Sequence, residues 1–176
     1  TLVITCVCIT AAYNSQRSTT IGQHFIFTFP TQSYPPGGYF PSLVITSAST
    51  TSINVNVTLP GLAESFNRTV NPGDFITVDL SREVMPDSHA STNRNNGTIL
   101  VQTDDYVSLT AMSYSLKYQR LDSFQVLPSS ALGNEYVIID YDGWHPGGTP
   151  SEFVITSLFD DTIITCTLTG TPMEIY

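Results

Sequence analysis

Charge is what this sequence has least of. Asp, Glu, Lys and Arg make up 12% of the 176 residues, about half the roughly 25% of an ordinary soluble domain. Basic residues are the scarcest, with 6 Lys and Arg against 15 Asp and Glu and a formal net charge of −9. A phosphate backbone needs a basic face, and this chain cannot assemble one, which argues against nucleic acid as a partner. The same deficit argues against docking on an anionic lipid surface. No apolar run approaches the roughly 20 residues of a membrane-spanning helix, so no membrane insertion of the mature chain is expected. No segment sustains a 3.6-residue apolar period.

The usual signatures of chemistry are missing too. The sequence contains no GxSxG, HExxH, Walker A, GxGxxG or CxxC pattern, which removes the local signals for a serine hydrolase, a zinc site or a phosphate loop. His24, His89 and His145 are isolated from one another. With no nucleophile–base set in view, the sequence predicts no enzyme and no cofactor. A secreted hydrolase is the weakest reading.

Ser, Thr and Asn occupy the space that charge leaves, and period-2 alternation dominates. Ile53, Val55, Val57 and Leu59 alternate with Asn54, Asn56 and Thr58, placing the apolar set on one face of a strand. Similar strands are predicted at 25–29, 75–80, 99–102, 106–112, 137–139, 153–156 and 163–168. Asn71-Pro72-Gly73-Asp74 is a strong turn signal, and residues 81–84 read as a single helical turn. Many short strands between turns predict an all-β, antiparallel β-sandwich.

Leu2 to Ile9 reads LVITCVCI and is followed by Thr10, Ala11 and Ala12. This pattern predicts the back half of a signal peptide over residues 1–12, truncated at its front and cleaved after Ala12. The competing reading is an ordinary strand. Cleavage would remove Cys6 and Cys8 and leave Cys166 alone, either as a buried thiol or bridged to a partner outside this chain. Three N-x-S/T sequons, at Asn56, Asn67 and Asn96, point the same way, to a secreted, extracellular glycoprotein.

An internal repeat organises the chain. Pro36-Gly37-Gly38 recurs at Pro146-Gly147-Gly148, Val44-Ile45-Thr46-Ser47 at Val154-Ile155-Thr156-Ser157, and Ile53 at Ile163. These matches share one offset of 110 (146 less 36, 154 less 44, 163 less 53). Gly22-Gln23-His24-Phe25-Ile26 resembles Gly133-Asn134-Glu135-Tyr136-Val137 at an offset of 111. A repeat of about 110 residues is the size of a β-sandwich domain. The expected organisation is tandem: one whole unit over residues 21–130 and the beginning of a second, incomplete unit over residues 131–176, in a piece of a longer protein.

The ordered set of strands resembles the N-terminal domain of the IgG Fc-binding protein family. The segments that carry the resemblance are GQHFIFTF, VITSASTTSINVNVTLPGLAESFNRTVNPGDFITVDL, GTILVQTDDYVSLTAMS and LPSSALGNEYVIIDY. They lie in order between residues 22 and 141, and no single motif is specific. The resemblance implies a large, secreted, modular protein of mucus or matrix, with no enzymatic activity in this domain. No residue here matches an antibody-contacting motif, so antibody binding is not predicted.

Two residue sets remain as site candidates. Asp140-Tyr141-Asp142-Gly143 looks like the first half of an acidic calcium loop, making Asp140 and Asp142 weak calcium candidates. No acid follows before Glu152 to complete the ligand set, and a plain β-turn is the simpler reading. Asp104-Asp105 and Asp160-Asp161 read as hairpin turns. Tyr34, Tyr39, Phe40, Tyr141 and Trp144 lie in or beside the Pro-Gly-Gly loops and form a candidate binding surface, against the plainer role of capping the sandwich ends. The expected function is a non-catalytic adhesion or structural module that contacts an extracellular protein or glycan. The alternative is an immune-recognition or lectin-like domain assisted by calcium.

Overall fold

The computed structural model describes residues 2–9, 20–30, 38–85, 97–117, 119–140, 153–159 and 161–169. Among these, every regular element is a strand or a single 3-10 turn, and no α-helix occurs. The all-β, antiparallel class predicted from composition and periodicity is the class observed. One seven-stranded sheet curls over its own core as a half-barrel.

The spine of that sheet is a 17-residue strand, Ile99–Ser115, here β7. Its first half is flanked by β2 (Ile21–Phe27) and β4 (Ile53–Leu59), with β5 (Glu64–Val70) outside β4. Its second half is flanked by β3 (Phe40–Thr46) and β8 (Arg120–Val126), with β6 (Phe75–Asp79) outside β3. The halves meet at an irregularity. Gly22 faces Val107 and His24 faces Gln102, so residues 103–106 bulge opposite Gln23 alone. A bulge bends its strand and increases the local twist, which is what curls the sheet. The Thr103 hydroxyl donates to the Asp105 carbonyl at 2.7 Å and to the Gln23 carbonyl at 3.3 Å, giving partners to backbone groups that the ladder leaves out.

Asp104-Asp105 is therefore not a hairpin turn. It is the bulge of a continuous strand, where the sequence pattern suggested two separate strands at 99–102 and 106–112. Asn71 to Asp74 does form the predicted turn. The Asp74 N–H donates to the Asn71 carbonyl at 3.1 Å, and Gly73 sits at φ 67°, the position where this turn needs a residue free of Cβ strain. The turn carries the chain from β5 in one half to β6 in the other. Residues 82–84 form the expected single turn, capped by Ser81, whose hydroxyl accepts from the Glu83 N–H.

The core is the inner face of the curl. Ile53, Val55, Val57 and Leu59 are fully buried, as are Leu43, Ile45, Ile99 and Leu109. Each such side chain contributes about 1.5–3 kcal/mol by leaving water. Phe27, Phe29 and Phe124 meet edge to face with centroids 5.9–6.2 Å apart. Gly22 lies where a Cβ would come within 2.3 Å of the Pro128 Cβ, so only glycine lets the chain after β8 cross β2.

A second, three-stranded sheet has the order β10-β1-β9, with β1 spanning Leu2–Ile9, β9 Glu135–Asp140 and β10 Ile163–Thr169. Thus the segment expected as a leader forms the middle strand of a sheet, antiparallel to both neighbours. The strand predicted at 153–156 is not formed; residues 153–157 are irregular. Its counterpart β3 is paired on both edges, and no strand among the described residues pairs with 153–157. The Pro-Gly-Gly loops, apart from Gly38, lie outside the described residues.

Candidate functional site

Two features stand out on the outer face of the curled sheet. The first is a polar row that crosses four strands. His24, Gln102, Asn56 and Asn67 are successive register partners on β2, β7, β4 and β5. Alternation sends these residues outward while Phe25, Val101 and Val57 go to the core. The Asn56 side-chain amide donates to Asn67 Oδ1 at 3.1 Å, and the Thr58 hydroxyl donates to Asn56 Oδ1 at 2.9 Å. His24, Gln102, Asn56 and Thr58 border a shallow depression of about 260 Å³, closed on one side by Ser129 and Leu158.

A clamp holds the edge of this face. The Asn54 backbone N–H and side-chain amide each donate to one oxygen of the Asp104 carboxylate at 2.8 Å. The Gln23 side-chain amide donates to the Asp104 carbonyl at 3.1 Å. Asp104 thus joins β2, β4 and β7 at the bulge, and its role is structural. Beside it, Ile21, Ser49, Asp105, Tyr106 and Ser108 line a second open depression of about 270 Å³.

The second feature is apolar. Phe40 on β3, Tyr114 on β7 and Leu121 on β8 are directly opposed across three strands. Phe40 is 49% exposed and Leu121 62% exposed. The Phe40 and Tyr114 rings lie 5.6 Å apart with their planes 34° from parallel. Large apolar groups in an unbroken row on a rigid sheet form a surface that gains from being covered.

The sequence-predicted residues divide among these places. Asn56 is half-buried in the polar row and Asn67 is exposed beside it; Asn96 lies outside the described residues. Of the aromatic set, Phe40 is on the surface, but Tyr39 is buried in the core and has no part in a binding face, because strand alternation turns it inward just before β3. Tyr34, Tyr141 and Trp144 lie outside the described residues, as do His89, His145 and Asp160. Asp140 closes β9 opposite Leu2, and Asp142 lies outside the described residues. No group of three or more His, Cys, Asp or Glu that could hold a metal occurs among the described residues.

Tyr114, Leu121 and Gln102 were not singled out from the sequence. Tyr114 and Gln102 could have been found as the outward positions of the β7 alternation. Leu121 could not, because β8 carries one buried residue, Val126, and so no apolar period.

No family model, no curated protein and no solved structure matches this chain. No helix among the described residues is long and apolar enough to cross a membrane.

Proposed function

We propose that this protein is a non-catalytic extracellular interaction module whose repeats belong to a tandem array. It contacts a protein or glycan through the outer face of its curled sheet. The resemblance to the IgG Fc-binding protein family, with its mucus or matrix setting, supports this reading. So do the low charge and the sequons. The observation that carries it is the surface row Phe40–Tyr114–Leu121, exposed at Phe40 and Leu121 and half-buried at Tyr114. Aromatic and large aliphatic groups held by a rigid scaffold supply contact area at low entropic cost.

The sequons and the composition support export. A chain cut after Ala12 would lose the middle strand of the β10-β1-β9 sheet, so the mature N-terminus is the point to measure. The protein would be expressed in a eukaryotic host and weighed before and after enzymatic removal of N-glycans. A secreted chain that loses glycan mass is expected; a retained, unmodified chain sinks the extracellular reading. Glycopeptide mapping should find Asn67 modified in preference to Asn56, whose amide is half-buried and engaged.

The secreted chain would then be screened against glycans and matrix proteins. Phe40→Ala with Leu121→Ser should weaken any binding found by at least about tenfold, in line with truncation of a buried aromatic anchor. Unchanged binding would move the contact face elsewhere. Binding abolished by a calcium chelator would favour the lectin-like alternative.

A further inference from the structure

We propose that Leu2–Ile9 serves the second copy of the repeat as β7 serves the first, and that a Cys6–Cys166 disulfide fastens it there. The inference rests on the extracellular reading only for its oxidising surroundings. The strand assignment stands apart from that reading.

The repeat maps β2 onto β9 and β4 onto β10. In the first copy, β2 and β4 do not touch as neighbours; the first half of β7 lies between them, antiparallel to both. In the second copy, β1 lies between β9 and β10, also antiparallel to both. The correspondence extends to individual positions. Gln102 faces Asn56 on β4, and Cys6 faces Cys166 on β10. Cys166 is the residue 110 positions after Asn56, the repeat offset. On the other flank Gln102 faces His24 and Cys6 faces Tyr136, a displacement of one residue from the offset of 111. The place between β9 and β10 is taken by one antiparallel strand, Leu2–Ile9.

Direct opposition is what makes the bridge feasible. Opposed residues of an antiparallel pair have Cα atoms about 4.5–5.5 Å apart, inside the roughly 4.4–6.8 Å that a disulfide spans. Cys166 is exposed on β10. Cys8 faces Ile164 instead, so only one of the two N-terminal cysteines is in register with Cys166. The oxidant is a disulfide, glutathione disulfide in the test below. One cysteine thiolate attacks it, forming a mixed disulfide and releasing one glutathione. The second cysteine displaces the other glutathione. Two protein thiols and one glutathione disulfide become one protein disulfide and two glutathione thiols. The bond would close almost the whole chain into a loop, where cross-linking restricts the unfolded state most.

The full 176-residue chain is incubated with glutathione disulfide, blocked with a thiol reagent and mapped by non-reducing peptide mass. The expected product is a monomer with Cys6 joined to Cys166, unchanged in Cys8→Ser and lost in Cys6→Ser. Thr5→Pro, which removes a backbone donor in the middle of β1, should slow bridge formation about tenfold or more. A Cys8–Cys166 or Cys6–Cys8 bond, a bond between two chains, or no bond overturns the proposal. A secreted, glycosylated chain that begins at Tyr13 also overturns it and leaves the extracellular reading standing. A chain that forms the bridge in vitro but is retained in cells without glycan has the opposite meaning.

Discussion

The same four residues, Val-Ile-Thr-Ser, occur at 44–47 and at 154–157, and the structure treats them differently. At 44–47 they complete β3, with Leu43 and Ile45 fully buried. At 154–157 they are irregular, and Phe153 and Ile155 are 40% and 39% exposed. One local feature survives in both copies. Ser47 Oγ accepts from the Ser49 N–H at 2.9 Å, and Ser157 Oγ accepts from the Phe159 N–H at 3.2 Å. A serine turn of this kind closes within three residues and needs nothing from elsewhere. A strand needs partners. β3 has β6 on one edge and β7 on the other, whereas its repeat pairs with no strand among the described residues. Local sequence sets the turn, and pairing sets the strand.

The largest test of that contrast is truncation inside the two copies. Ile45→Ala should cost about 2–5 kcal/mol of unfolding free energy, as a large-to-small change in a packed core. Ile155→Ala should stay within about 0.5 kcal/mol, as for a surface site. Urea unfolding of both variants measures the gap, and equal losses would mean that residues 153–157 are as firmly packed as β3.

The glycines that lead the repeats give a smaller version. Gly22→Ala forces a Cβ to 2.3 Å from the Pro128 ring and should cost about 1–3 kcal/mol by overpacking. A Cβ on Gly133 meets nothing closer than the Glu135 carbonyl at 3.9 Å, so Gly133→Ala should be close to neutral. Thermal melts of the pair decide it. Matching destabilisation would show that the second glycine has a packing role of its own.

The smallest effect should be the one the copies share. Ser47→Ala loses one side-chain-to-backbone hydrogen bond, worth about 0.5–1.5 kcal/mol, and Ser157→Ala loses the matching bond together with those its hydroxyl donates to the Phe159 carbonyl and the Thr162 hydroxyl. Amide exchange at Ser49 and Phe159 should quicken in the respective variant. Protection lost at one site and kept at the other would break the claim that the turn is local in both.

How much of the fold could be read beforehand follows burial. β4 was legible because it alternates fully buried and outward residues along its whole length. β5 and β8 were not, since each buries a single residue, Val70 and Val126. Both flank a better-patterned neighbour, so backbone pairing holds them while their side chains stay in water. β7 read as two strands because Asp104-Asp105 interrupts its apolar pattern, and the bulge resolves that interruption without breaking the strand. Of the candidate surface, Phe40 was marked by its loop, but the Phe40–Tyr114–Leu121 row depends on three registers that no sequence pattern specifies.

The all-β class, the alternating faces, the Asn71–Asp74 turn and the serine turns were determined by the sequence itself, because periodicity and short-range hydrogen bonding act within a few residues. Tertiary structure decided which of two identical segments became a strand. It also decided that one long strand would serve both halves of a curled sheet, and that Leu2–Ile9 would lie between β9 and β10 with Cys6 opposite Cys166. Those outcomes depend on which backbone edges meet across more than a hundred residues, and an edge carries no record of its partner in its own sequence.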